Sequence, residues 1–133
     1  MLKTILRASA LACLLVTTAL AQQPNTSAEA HYARYRAAIE SGDAAVAEEA
    51  ASAALSASQQ RDGNGGATGT LAYNLALVRI DAGHAAEALE PATRALQIAE
   101  SESAGGLDPL AARLVFGQAQ LAASPEQGAQ TLT

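Results

Sequence analysis

Three turn signals recur at one interval: Gly42, Gly83 and Ser124 stand 41 residues apart (83 − 42 and 124 − 83). In the same register stand Ala47, Ala88 and Ala129, and likewise Ile39, Ile80 and Leu121. A period of about 40 residues with two helical patterns per period marks a helical-repeat array, because one such unit cannot bury its apolar face alone and has to stack on a neighbour. Residues 27–133 therefore read as one all-α domain of stacked helical hairpins, a right-handed α-solenoid with its last unit incomplete. One domain also suits the length.

Residues 1–21 read as a secretory signal peptide. Lys3 and Arg7 precede an apolar run from Ala8 to Leu20 that closes on Ala19-Leu20-Ala21, an A-x-A cleavage pattern. The run is shorter than the roughly 20 apolar residues a spanning helix needs. The mature chain is expected to start at Gln22 with a polar lead-in over 22–26, to reside in the bacterial periplasm, and not to insert in the membrane once cleaved. Cys13 raises a second reading, a lipid anchor, against which stand Ala10 where a lipobox usually has Leu and the short distance from Arg7.

Cleavage leaves 133 − 21 = 112 residues, with 8 − 2 = 6 basic side chains against 13 acidic ones, a net charge near 6 − 13 = −7. All six basic residues are arginines and none cluster, which argues against nucleic acid as a partner, since that binding depends on grouped cations. No cysteine remains, so packing alone must hold the fold. Aromatics make up only 3% and alanine dominates the apolar half of the chain. Alanine favours helix and lets helices approach closely, at a modest hydrophobic gain per residue.

Thr26-x-x-Glu29 reads as a capping box opening a first helix over about 27–41, which Gly42 ends. Asp43 caps a second helix over about 44–60, and Asp62-Gly63-Asn64-Gly65-Gly66 breaks the chain. A third helix over about 68–82 is apolar nearly all round and is expected to be sandwiched. The fourth, over about 85–101, contains Pro91, which is expected to kink it or to delay its regular part. Asp108-Pro109 starts a fifth helix over about 109–123, and Ser124-Pro125-Glu126-Gln127 signals a sixth.

On these residues the chain resembles the tetratricopeptide-repeat family. The middle unit carries the resemblance best, with Leu75-Ala76, Gly83, Ala88, Ala95-Leu96 and Ile98; the first keeps Tyr35, Gly42, Ala47 and Ala54-Leu55, and the last Phe116-Gly117 and Ala129. The first unit has Arg34 where the family has an apolar residue, and the 41-residue spacing exceeds the family's standard unit. A plain helical bundle and a Sel1-like repeat are the alternative all-α readings.

The resemblance implies that the first helices of successive units line a concave face that binds a protein or peptide. Carried over by register, that face holds Tyr32, Arg36 and Ile39, then Tyr73, Leu77 and Ile80, then Leu114, Gln118 and Leu121. The same apolar rows are equally what a core would show. The alternative function is a structural spacer, or the N-terminal segment of a larger envelope protein such as one resembling a TonB-like energy transducer.

No catalytic, metal or cofactor site is expected. His31 and His84 are the only imidazoles, and Asp81 with His84 straddles a turn without further ligands. Asp62-Gly63-Asn64-Gly65 lacks the rest of a calcium loop, and the glycines from Gly63 to Gly69 lack the Gly-Lys-Ser/Thr of a phosphate loop. Glu48-Glu49 and Glu87 with Glu90 read as solvated helix faces.

Overall fold

The computed structural model describes residues 27–65, 67–101 and 106–124. The signal peptide, the polar lead-in and the sixth helix expected after Ser124 lie outside them. The described residues form five helices, α1 Ala28–Ser41, α2 Ala44–Asp62, α3 Thr68–Asp81, α4 Ala85–Glu100 and α5 Pro109–Ala123, with no strand among them. Each helix packs on the next in sequence, and α3 also touches α5.

Local chemistry sets the boundaries. The cap of α1 is Ser27, whose hydroxyl accepts from the Ala30 amide at 3.2 Å, one residue later than the expected Thr26; Glu29 is thereby moved off the capping-box position. Asp43 caps α2 through the Val46 amide at 3.0 Å, and Asp108 caps α5 through the Leu110 amide at 3.1 Å, ahead of Pro109 in the first turn.

The two glycine turns repeat at the level of single hydrogen bonds. Gly42 has φ 75° and Gly83 φ 82°, and the amide after each returns to the carbonyl five residues back: Asp43 to Ala38 at 2.9 Å, His84 to Arg79 at 2.7 Å. Ser124 breaks the series. With a Cβ to accommodate it stays at φ −132°, its amide bonded to the Gln120 carbonyl, so the third turn signal is not a left-handed cap.

Alanine crossings build the core. Ala47, Ala54, Ala72, Ala76, Ala88, Ala92 and Ala95 have no exposure, and Gly69 brings α3 so near α4 that a Cβ there would lie 2.8 Å from Ile98 Cγ2. Ser58 and Thr68 are the buried polar residues of the described chain. Thr68 Oγ1 spends its single hydrogen on the Gly63 carbonyl at 2.9 Å, so Ser58 donates to it, also at 2.9 Å; this pair stitches the end of α2 to the start of α3.

Candidate partner-binding surface

The nine residues of the expected face divide by unit. Tyr32 and Ile39 on α1 are 37% and 52% exposed, and Leu114 and Leu121 on α5 are 61% and 63% exposed, with Arg36 and Gln118 exposed beside them. On α3, Tyr73, Leu77 and Ile80 are half-buried and pack on the cluster that Ala76, Ala88 and Ala92 form with Val115 and Ala119 of α5, Tyr73 also reaching the cluster of Ala51, Ala54 and Leu55 on α2. Leu110 of α5 is the remaining large apolar side chain exposed among the described residues.

The reason lies in three further positions. Ala76 of α3 and Ala119 of α5 share one core cluster, Ala112 of α5 is likewise unexposed, and helices that meet through alanines approach closely. Their counterparts one unit earlier, 41 residues back, are Tyr35, Leu71 and Val78. Tyr35 of α1 packs against the cluster holding Leu71 and Leu75 and against the one holding Val78. With this bulk in place the α1 backbone stays out of contact with α3: Tyr35 and Ala38 reach α3 by side chains, and the close backbone approach of the hairpin to α3 is made by α2. Burial raises the Tyr35 phenol above its ordinary pKa, and its ring stacks on Tyr32 with centroids 5.7 Å apart.

A polar junction that the sequence reading missed locks α2, α3 and α4 together. Pro91 lies inside α4, buried, and α4 is continuous through it. Proline has no N–H to give the Glu87 carbonyl four residues back, and that carbonyl instead accepts from Arg79 Nη1 at 2.9 Å. Arg79 Nε donates to Glu48 Oε1 at 3.0 Å, and His84 Nδ1 donates to Glu48 Oε2 at 2.9 Å, since a carboxylate only accepts. Glu48 and Arg79 are about one-fifth exposed, so Glu48 is a bridging group rather than part of a solvated face. Burial pushes the Glu48 carboxyl up, but the hydrogen bonds and charges of His84 and Arg79 outweigh it and hold the group below its ordinary range. His84 occupies the cap position of α4 without capping it; the imidazole goes to Glu48, where Asp43 in the first unit serves its own helix.

Beside this junction lies an open cleft of about 750 Å³, floored by Ala45, Ser52 and Ala53 of α2 and edged by Glu48, Arg79 and His84. None of the nine row residues lines it. All six arginines of the described chain face carboxylates, from Arg61 and Glu29 at 2.6 Å to Arg36 and Glu40 at 3.9 Å. Among the described residues, no three His, Cys, Asp or Glu side chains group as metal ligands, and no helix is long and apolar enough to cross a membrane. No protein-family model, curated protein or solved structure matches the chain.

Proposed function

We propose that this chain is an exported, tetratricopeptide-like scaffold that docks another envelope protein or peptide on the faces of α1, α3 and α5. One observation carries the reading. Of the five large apolar side chains exposed among the described residues, Tyr32, Ile39, Leu114 and Leu121 fall in two rows of the 41-residue register. Helices that bury most of their other large apolar residues leave these four exposed at matching places of the register, which suits a helix or extended segment received across them. Export to the periplasm, with cleavage after Ala21, rests on the leader anatomy.

The half-burial of Tyr73, Leu77 and Ile80 favours a second reading at the middle unit, a spacer in which those residues are core. A capture experiment separates the two. Wild type and the double variant Tyr32→Ser, Leu114→Ser are immobilised and exposed to envelope extract, with circular dichroism confirming equal helicity. The docking reading expects a protein retained by wild type and lost by the variant. Equal retention, or none by wild type, supports the spacer.

A further inference from the structure

The outer row of α5 has a counterpart at the opposite end of the chain. In the junction between the second and third units, α3 presents Tyr73, Leu77 and Ile80 to a cluster that takes Val115 and Ala119 from the buried edge of α5, Ala112, Val115 and Ala119. Shifted by one period, the presenting row becomes Leu114, Gln118 and Leu121 of α5, open to solvent. Shifted two periods back (82 residues), the covering edge becomes Ala30, Ala33 and Ala37 of α1, where Ala33 and Ala37 are exposed and Ala30 is half-exposed. Among the described residues, α5 thus carries an open row and α1 an open alanine edge.

We propose that the occupant of the α5 row is α1 of a second copy, so that the protein associates head to tail through a contact patterned on the α3–α5 packing within each copy. The inference rests on the reading of the row as a docking surface and names what docks at its α5 end. Three observations support it. The contact would extend an interface already formed inside the molecule, between α3 and α5. The alanine edge of α1 permits the approach that Ala112 and Ala119 permit in that interface. Charge at the contact is absent or paired: Leu114, Gln118 and Leu121 are uncharged, and the ionised groups bordering Ala33 and Ala37 are each in an ion pair, Glu29 with Arg61, Arg34 with Glu49 and Arg36 with Glu40. A net-acidic chain meets a copy of itself at least cost where charges are absent or already paired. Because the two surfaces differ, the contact is heterologous and leaves a free row and a free edge on every assembly.

Sedimentation velocity on the purified protein over a wide concentration range tests this, with Ala37→Glu blocking the edge and Leu121→Glu blocking the row. Both positions are exposed, and circular dichroism checks the fold; Ala33→Glu and Leu114→Gln replace either variant that loses it. Wild type is expected to form dimers and larger species as concentration rises. Each single variant is expected to associate about tenfold or more weakly. An equimolar mixture of the two variants is expected to regain association but to stop at dimers, because the one pair of intact surfaces in each complex is then used. A wild type that stays monomeric overturns the proposal, whether a foreign segment or the chain's own residues 125–133 occupy the row. Association broken by Leu121→Glu but not by Ala37→Glu also overturns it, in favour of a two-fold contact through α5. Loss of envelope-protein capture on changing Tyr32, with the dimer series intact, would leave this inference standing apart from the docking of a foreign protein.

Discussion

The α1–α3 and α3–α5 junctions stand at corresponding places of the 41-residue spacing and differ in closeness. At the second, Ala76 and Ala119 meet in one cluster and let α5 settle on α3, and the row of Tyr73, Leu77 and Ile80 is half-covered. At the first, Tyr35, Leu71 and Val78 occupy the same places, α1 stays off α3, and Tyr32 and Ile39 remain exposed. Corresponding positions in the sequence spacing thus end up differently packed, and the volume at those positions accounts for whether a row is half-covered or stays open. The polar contacts divide similarly. Asp43 of the first unit caps its own helix, whereas His84, its counterpart, reaches across to Glu48.

The largest expected effect comes from putting bulk into the close junction. Ala119→Leu should cost about 3 kcal/mol, the upper end for overpacking, and push α5 off α3. Ala88→Leu, at a buried crossing, should cost about 1–3 kcal/mol, while Ala86→Leu on the exposed side of the same helix should leave the melting midpoint nearly unchanged. Equal losses from Ala88→Leu and Ala86→Leu would break the register on which the comparison stands.

Arg79→Met is next. It strands the Glu87 carbonyl and removes one partner of Glu48, at a cost of about 2 kcal/mol by urea denaturation. The junction also sets a pH dependence. The folded-state pKa of Glu48 is depressed, so its contribution is fully present above the unfolded value, about 4.5, and is lost as pH falls through the lower folded value. Glu48→Gln should flatten stability in that acidic window and leave the slope above it alone. An unchanged acid limb would mean that the bridge is not formed in solution.

Thr68→Val breaks both hydrogen bonds of the buried hydroxyl pair and should cost about 1–3 kcal/mol. Smallest is Tyr32→Ser, which loses a stacking contact worth about 0.5–1 kcal/mol at a partly exposed site. Tyr73→Ser, at the half-covered counterpart, should cost clearly more; a difference near zero between the two would remove the distinction between the junctions.

Much of the frame was legible in the sequence because it depends on residues close together. Gly42 and Gly83 end helices wherever they stand, Asp43 and Asp108 cap the helix that follows, and Ala47 and Ala88 are fully buried as their shared register implied. What was not legible depends on pairs far apart in the chain. Glu48 read as a solvated acid because Arg79 and His84 lie more than 30 residues away. Pro91 carried a usable signal: an orphaned carbonyl at Glu87 calls for a donor, though nothing local says that Arg79 supplies it. The unequal junctions could have been read by comparing Tyr35, Leu71 and Val78 with Ala76, Ala112 and Ala119, a comparison that needs to know which positions face the neighbouring unit.

The most direct test measures the spacing of the first helices themselves. Spin labels at cysteines replacing Arg36 and Leu77 report the first junction, and labels at Leu77 and Gln118 report the second; all three positions share one place in the register. Pulsed dipolar spectroscopy is expected to give a shorter distance between 77 and 118 than between 36 and 77, with the latter shortening when Tyr35 is also replaced by alanine. Equal distances for the two pairs, unmoved by Tyr35→Ala, would contradict the account.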